Sequence, residues 1–355
     1  MGEQDRYSSV DLPFYHQEIS PYLPPVVLDF HAHTWRREDW RSVPWEAREN
    51  GGAYMVSEVN YPVERLLTDG QRAFPDREYR AVCFGYPVPS ADNEKDTRYV
   101  AAAGRRRGLY PLMVAGAPLR LPREMLRRRI EEHGFLGYKV FINWHGDAYG
   151  DTRVQDMLSA NEMDLADELG LVVLLHVPRS GRLADPVVQQ GVRWLSEGWP
   201  GAKIVLAHCG RCYLPAEMER AAGSIRDLSN VYLDTSMVMD ETVLRTVFDT
   251  IDSRRVVYAT DFPVAAMRGR RVRVMDHWVD IVQGDYPPSA YRVRAEGIRA
   301  SFMALEIALA VRTAAERAGL SRDQVRAVFF ENGMALLKGV AGGAMIRRVE
   351  AGWAG

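Results

Sequence analysis

Short apolar runs, each followed by a segment of helical length, recur along this chain and restrict its fold more than any other feature. Val26-Val27-Leu28-Asp29-Phe30 opens the series, and runs at 80–86, 109–114, 136–142, 171–176, 204–208, 231–234 and 256–261 follow. Nearly continuous apolar residues mark strands covered on both faces, the pattern of a parallel sheet. Helical segments near 92–106, 122–133, 159–169, 186–198, 214–223 and 240–251 separate them, the third closing at Gly170 as a C-terminal cap. The repetition predicts an α/β fold, a closed parallel (β/α)8 TIM barrel. An open doubly wound sheet is the alternative, but no Gly-rich phosphate turn follows a strand to support it.

The remaining segments fit around that barrel. Residues 1–25 are polar and carry Pro13, Pro21, Pro24 and Pro25, so they read as an irregular N-terminal extension packed across it. A Trp-rich stretch at 34–50 reads as loop or short helices over a site, and 51–75 as a further insertion after the first strand. The Ala- and Arg-rich stretch 289–318 reads as one long helix, and 322–340 as closing helices. The expected organisation is the extension, a barrel domain over 26–340, and a tail over 341–355.

Composition narrows the partners. The 355 residues carry a net charge of -2, which gives no field for nucleic acid or an anionic membrane. Arginine runs at 105–107 and 127–129 sit in helical context and read as solvated faces. Three cysteines are too few for a disulfide framework, which points to a reducing cytoplasm. Cys209 and Cys212 form a C-x-x-C, but no second such pair exists to complete a zinc knuckle. The N-terminus has no charged-then-apolar signal pattern, and no 18-residue apolar run predicts a membrane span. A small molecule is the expected partner, and the common symmetric homodimer the default assembly.

In a (β/α)8 barrel the active site lies at the C-terminal ends of the strands, so the residue ending each run is informative. The first run ends in His31 and His33, the fifth in His176, the sixth in His208 and the eighth in Asp261. Residues i and i+2 of a strand share a face, so His31 and His33 project side by side. Of eight histidines, four sit at strand ends, while His16, His133, His145 and His277 lie in loops or helices. A lone His176 or His208 could be a satisfied core histidine, and Asp261 before Phe262-Pro263 could cap a turn. Converging on one mouth, they have the composition of a catalytic metal site.

The H-x-H on the first strand, the later strand-end histidines and Thr260-Asp261-Phe262-Pro263 together resemble the amidohydrolase superfamily. Within it the chain is similar to the amidohydrolase family 2 branch, which includes the aminocarboxymuconate-semialdehyde decarboxylase relatives. Asn332-Gly333-Met334-Ala335-Leu336 is similar to that branch's closing N-A-x-x-L helix, with Gly333 in place of the usual Ala. The resemblance spans about residues 26–340. It implies that His31, His33, His176 and Asp261 bind one divalent ion, with His208 close by but outside the ligand set.

That division suits the chemistry. Three imidazoles and a carboxylate leave room for water, whose pKa the ion lowers toward about 7. Asp261 is placed to move the proton, and His208 to orient the nucleophile or polarise a carbonyl. In binuclear relatives a carbamylated lysine after strand four bridges two ions, a role that would fall to Lys139. The branch resembled is generally mononuclear, so Lys139 is instead expected to pair with a buried carboxylate, Glu58 or Asp29.

Arg179 and Arg211, each three residues past a strand-end histidine, suit a substrate carboxylate or a solvated surface. Trp35 and Trp144 could wall an apolar pocket or serve packing. The sequence thus predicts a metal-dependent hydrolase of a small amide, ester or lactone. Zn²⁺ is favoured on affinity, with Mn²⁺ or Fe²⁺ suiting the same ligands. A non-oxidative decarboxylase of a carboxylated substrate is the rival. A barrel holding metal only for stability is the third reading, which the presence of His208 argues against.

Overall fold

The computed structural model describes residues 2–41, 60–86, 91–142, 149–286 and 291–354. Its strands follow the expected order: β1 (Val26–His33), β2 (Glu78–Phe84), β3 (Leu109–Pro111), β4 (Met113–Val114), β5 (Gly137–Val140), β6 (Val172–Leu175), β7 (Lys203–Leu206), β8 (Val231–Asp234) and β9 (Val256–Val257). Two parallel ladders result, β1-β2-β3 and β4 through β9 in sequence order. The third apolar run is divided at Leu112, beside Pro111, which has no N–H to give a ladder. Backbone bonds carry the sheet across that gap, from Leu112 N–H to Cys83 O (2.9 Å) and from Leu136 N–H to Pro111 O (3.0 Å).

Three further bonds join the last run to the first. Phe30 N–H donates to Tyr258 O (2.9 Å), Asp261 N–H to His31 O (2.8 Å) and His33 N–H to Phe262 O (2.8 Å). The ring of strands therefore comes back on itself where the H-x-H and the terminal aspartate lie. Asp29 reinforces this seam, accepting from Thr260 N–H (2.9 Å), Thr260 Oγ1 (2.5 Å), His31 N–H (3.1 Å) and Tyr79 Oη (2.8 Å). With four donors satisfied in the interior, this carboxylate is a structural partner.

The strands are covered on both sides, as their composition requires. Leu171, Val172, Val173, Leu174 and Leu175 are all wholly buried, as are Ile204, Val205 and Leu206. Each such side chain contributes about 1.5–3 kcal/mol on leaving water. Local signals set the helices between them. Ser159 and Glu162 form a reciprocal cap at Ala160–Leu169, and Gly170 ends that helix at φ +61, where a Cβ would be strained.

Three expectations need correction. The N-terminal extension is helical, residues 3–22 alternating α, π and 3-10 turns, with Tyr15 packed on Phe74 and Asp11 paired with the buried Arg268. The supposed insertion at 51–75 includes Val63–Ala73, an amphipathic helix in the place of the barrel's first, whereas 42–59 lies outside the described residues.

The long helix read over 289–318 begins only at Met303. Before it, β12 (Arg292–Arg294) pairs with β11 (His277–Val282), which pairs with β10 (Gly269–Val274), making a three-stranded arm after the last barrel strand. Strand pairing there overrides the helix propensity of Ala and Arg. The tail, named in the sequence without a structure, contains the helix Ala344–Ala351, which buries Met345, Ile346 and Val349. Among the described residues no helix is long and apolar enough to cross a membrane.

Candidate metal centre

The side chains ending the barrel strands meet as the alternation of strand faces requires. His31 and His33 both direct Nε2 at Asp261, each 3.4 Å from its Oδ1. His208 packs 4.9 Å from the His31 ring and 5.0 Å from the His176 ring, centroid to centroid. All five expected residues thus share one mouth. Among the described residues, His31, His208 and Asp261 form a group that could hold a metal ion, their donor atoms within 4.8 Å of one another. His208 therefore stands as near the centre as any residue of the expected ligand set.

The far side of three of the four rings is anchored. His31 Nδ1 lies 2.8 Å from Asp234 Oδ2, and His33 Nδ1 lies 3.1 Å from Gly85 O. His208 Nδ1 lies 2.8 Å from Ser236 Oγ and 3.1 Å from Ser236 O. Such contacts fix a histidine's tautomer and present Nε2 inward, as ligating histidines require. His31 Nε2 and His176 Nδ1 are buried without a hydrogen-bond partner. A buried orphan nitrogen is costly, and a cation is what a cluster of such lone pairs and one carboxylate would accommodate.

Electrostatics prepares the same chemistry. Burial, followed by the field of Lys139, holds His31 well below the usual histidine range. Burial also leads the lowering at His33, His176 and His208, so these imidazoles are neutral near pH 7. Burial alone would raise Asp261, yet its contacts with the imidazoles of His33, His31 and His208 bring it below the usual carboxylate range, so it is ionised near pH 7. Side-chain exposure is 0% at His31 and 14% at Asp261, so the site opens toward the aspartate. The backbone is left-handed at His208 (φ +56) and Asp261 (φ +73), conformations that cost non-glycine residues about 1–3 kcal/mol each.

The other expected residues separate. Lys139 is wholly buried, its Nζ without a hydrogen-bond partner, 5.2 Å from the ring centres of both Phe84 and Phe141. The expected pairing with Asp29 is absent, since that carboxylate is spent on the β1 seam; Glu58 lies outside the described residues. Arg179 is neutralised by Asp185, Nε to Oδ2 at 2.7 Å. Arg211 has no carboxylate partner among the described residues. Trp35 is completely buried in a stack with Trp40, Tyr61 and Tyr86. Trp144 lies outside the described residues. Cys209 and Cys212 are free and buried.

Three contributors go unmarked in the sequence reading. Asp234 bonds His31 through Oδ2, while its Oδ1 accepts from His208 N–H (2.7 Å) and Ser236 N–H (3.0 Å). It ends the seventh apolar run, the same signal that exposes His176 and Asp261. Ser236 follows it, and Tyr213 places its ring 6.1 Å from that of His208.

Comparisons with known proteins identify the family and the fold. Residues 28–279 match the amidohydrolase family model Amidohydro_2. Among curated proteins none matches. Solved structures of the same fold include a 4-oxalomesaconate hydratase from Rhodopseudomonas palustris, 15% identical over 88% of this chain and 96% of that one, TM-score 0.57. A zinc-bound amidohydrolase from Burkholderia multivorans is 16% identical over 88% and 99%, TM-score 0.57. A manganese-bound 5-carboxyvanillate decarboxylase from Novosphingobium aromaticivorans is 14% identical over 88% and 97%, TM-score 0.56.

Proposed function

We propose, from the premise that this chain belongs to the Amidohydro_2 amidohydrolase family, that it is a metal-dependent hydrolase of a small amide, ester or lactone. The observation that carries this reading is the packing of His31, His33, His176 and His208 around Asp261 at one barrel mouth, where His31, His208 and Asp261 could hold an ion and His31 Nε2 is buried without a hydrogen bond. His31, His33, His176 and Asp261 would hold one divalent ion, Zn²⁺ by affinity, with Mn²⁺ and Fe²⁺ as alternatives. When bound, that ion supplies Lewis-acid chemistry and lowers the pKa of water toward about 7.

The chain's own groups do the rest. Asp261, ionised and open to the mouth, accepts a proton from water and returns it to the leaving group. His208, neutral and held at Nδ1 by Ser236, orients through Nε2 the group being attacked. Asp234 fixes His31 and the His208 backbone together, so neither ring must reorganise during turnover.

Screening metal-loaded protein against lactones, amides, esters and aromatic acids tests the reading. Asp261→Asn and His208→Asn should each lower turnover by about 10²–10⁴-fold. His208→Asn should keep its metal, whereas His176→Ala should lose it. Near-normal turnover in either of the first two variants would refute the assignment. Decarboxylation is the second reading, favoured by Arg211 standing without a carboxylate beside His176. Release of CO₂ from a carboxylated aromatic, with no hydrolysis of neutral substrates, would select it.

A further inference from the structure

The turn that carries His208 is left-handed along its whole length. His208 (φ +56), Cys209 (φ +49), Gly210 (φ +68) and Arg211 (φ +62) follow one another just after β7. A residue with a Cβ visits this region singly, and three within four positions persist only where their surroundings hold them. At its start the turn is tied to Asp234. The Oδ1 of that residue accepts from His208 N–H (2.7 Å), and its carbonyl accepts from Cys209 Sγ (3.3 Å). The far end of the turn leads, two residues on, into Tyr213.

Tyr213 is held by both backbone and ring. Glu217 Oε2 accepts from its N–H (3.0 Å) and from Leu214 N–H (3.2 Å). The Arg182 guanidinium, itself bonded to Glu217, lies 5.2 Å from the centre of the ring. The arm supplies the other grip. Arg271 lies 4.5 Å from the Tyr213 centroid and 3.8 Å from that of Trp278, and the two rings are 5.3 Å apart. A guanidinium in contact with two aromatic rings, its charge met by the buried Asp280 at 2.8 and 3.1 Å, is a rigid wedge. The arm thus ends on the ring that stands 6.1 Å from His208.

We propose that the three-stranded arm positions His208: by gripping Tyr213 it keeps the left-handed turn wound, and so keeps the imidazole aimed into the metal centre. Arg271 and Trp278 are then positioning residues that act on the centre through Tyr213. Released at Tyr213, the turn relaxes toward the right-handed or extended backbone that its non-glycine residues favour, and the His208 ring moves with it. The part that His208 plays in turnover rests on the metal-dependent reading above, whereas the grip on the turn does not.

Two variants test the grip on the full chain with Zn²⁺ supplied. Trp278→Leu removes one ring and leaves the Arg271–Asp280 pair, while Arg271→Lys keeps a cation without its planar contacts. Hydrogen exchange read by mass spectrometry should be about tenfold faster across 207–214 in Trp278→Leu, with the Ala160–Leu169 helix unchanged. Arg271→Lys should fall between that variant and the wild type. Nitrogen-15 spectra of the histidine rings give the second readout, the His208 signals being identified by their loss in His208→Asn. Those signals should shift in Trp278→Leu while the His33 signals stay. Faster exchange confined to the arm, or His208 signals that do not move, would overturn the proposal. Once a substrate is found, Trp278→Leu should lower kcat about tenfold with KM and metal per chain unchanged. A protein that takes up no zinc would contradict the metal-dependent reading, while exchange and ring spectra would still decide whether the arm holds the turn.

Discussion

Asp234 shows how a single residue can organise the centre without touching substrate. Its two oxygens serve His31, the His208 backbone and Ser236, so one carboxylate sets the aim of two imidazoles. Replacing it by Asn keeps the shape but removes the anion opposite His31 Nδ1. Asp234→Asn should weaken metal binding about 10–100-fold, measured by competition with a chelator. Unchanged affinity would mean that the His31 ring needs no such support. Lys139 is the opposite case, a buried ammonium with nothing to bond. Burial pushes it down to about 8 from an ordinary 10.5. The unfolded chain then binds more protons than the folded one between those values, so stability rises as pH goes from about 8 to 10.5 and is penalised below. Lys139→Met should stabilise the metal-free protein at pH 7 by roughly 2–3 kcal/mol, with the gain shrinking above pH 8. Denaturant titration across pH would show it, and no gain at pH 7 would contradict the burial of a charged lysine.

At the scale of elements, the barrel strands were legible because burial on both faces leaves a continuous apolar run with a polar end. The arm of β10, β11 and β12 was not, since Arg-rich strands with half-exposed faces carry no such pattern. Its attachment is equally invisible in sequence. Arg268, at the arm's base, binds Asp11 of the N-terminal helical run at 3.0 and 2.6 Å, Glu3 at 3.1 and 2.9 Å, and Ala300 O at 3.1 Å. Partners about 260 positions apart have no local signature. Asp11 is buried, so removing its cation strands a carboxylate in the interior. Arg268→Met should cost about 3–5 kcal/mol in urea unfolding. A loss below about 1 kcal/mol would show that the N-terminal run docks by apolar contact alone.

For the whole molecule, chain order alone was enough to anticipate where five polar side chains converge, because a barrel places every strand's C-terminal end at one mouth. What order could not supply was the pairing of charges across loops. It offered Arg179 and Arg211 as equals, and only the fold shows Asp185 reaching the first and no carboxylate reaching the second. It offered Trp35 as a pocket wall, whereas three aromatic neighbours enclose it. The division of labour among the four histidines is what the family resemblance implies, and the presence of a metal centre at these strand ends is a question of stoichiometry. Elemental analysis of protein purified without chelator should find about one zinc, manganese or iron per chain, lost in His31→Ala. A protein that holds none, and regains none when these ions are added, would contradict a metal centre at these strand ends.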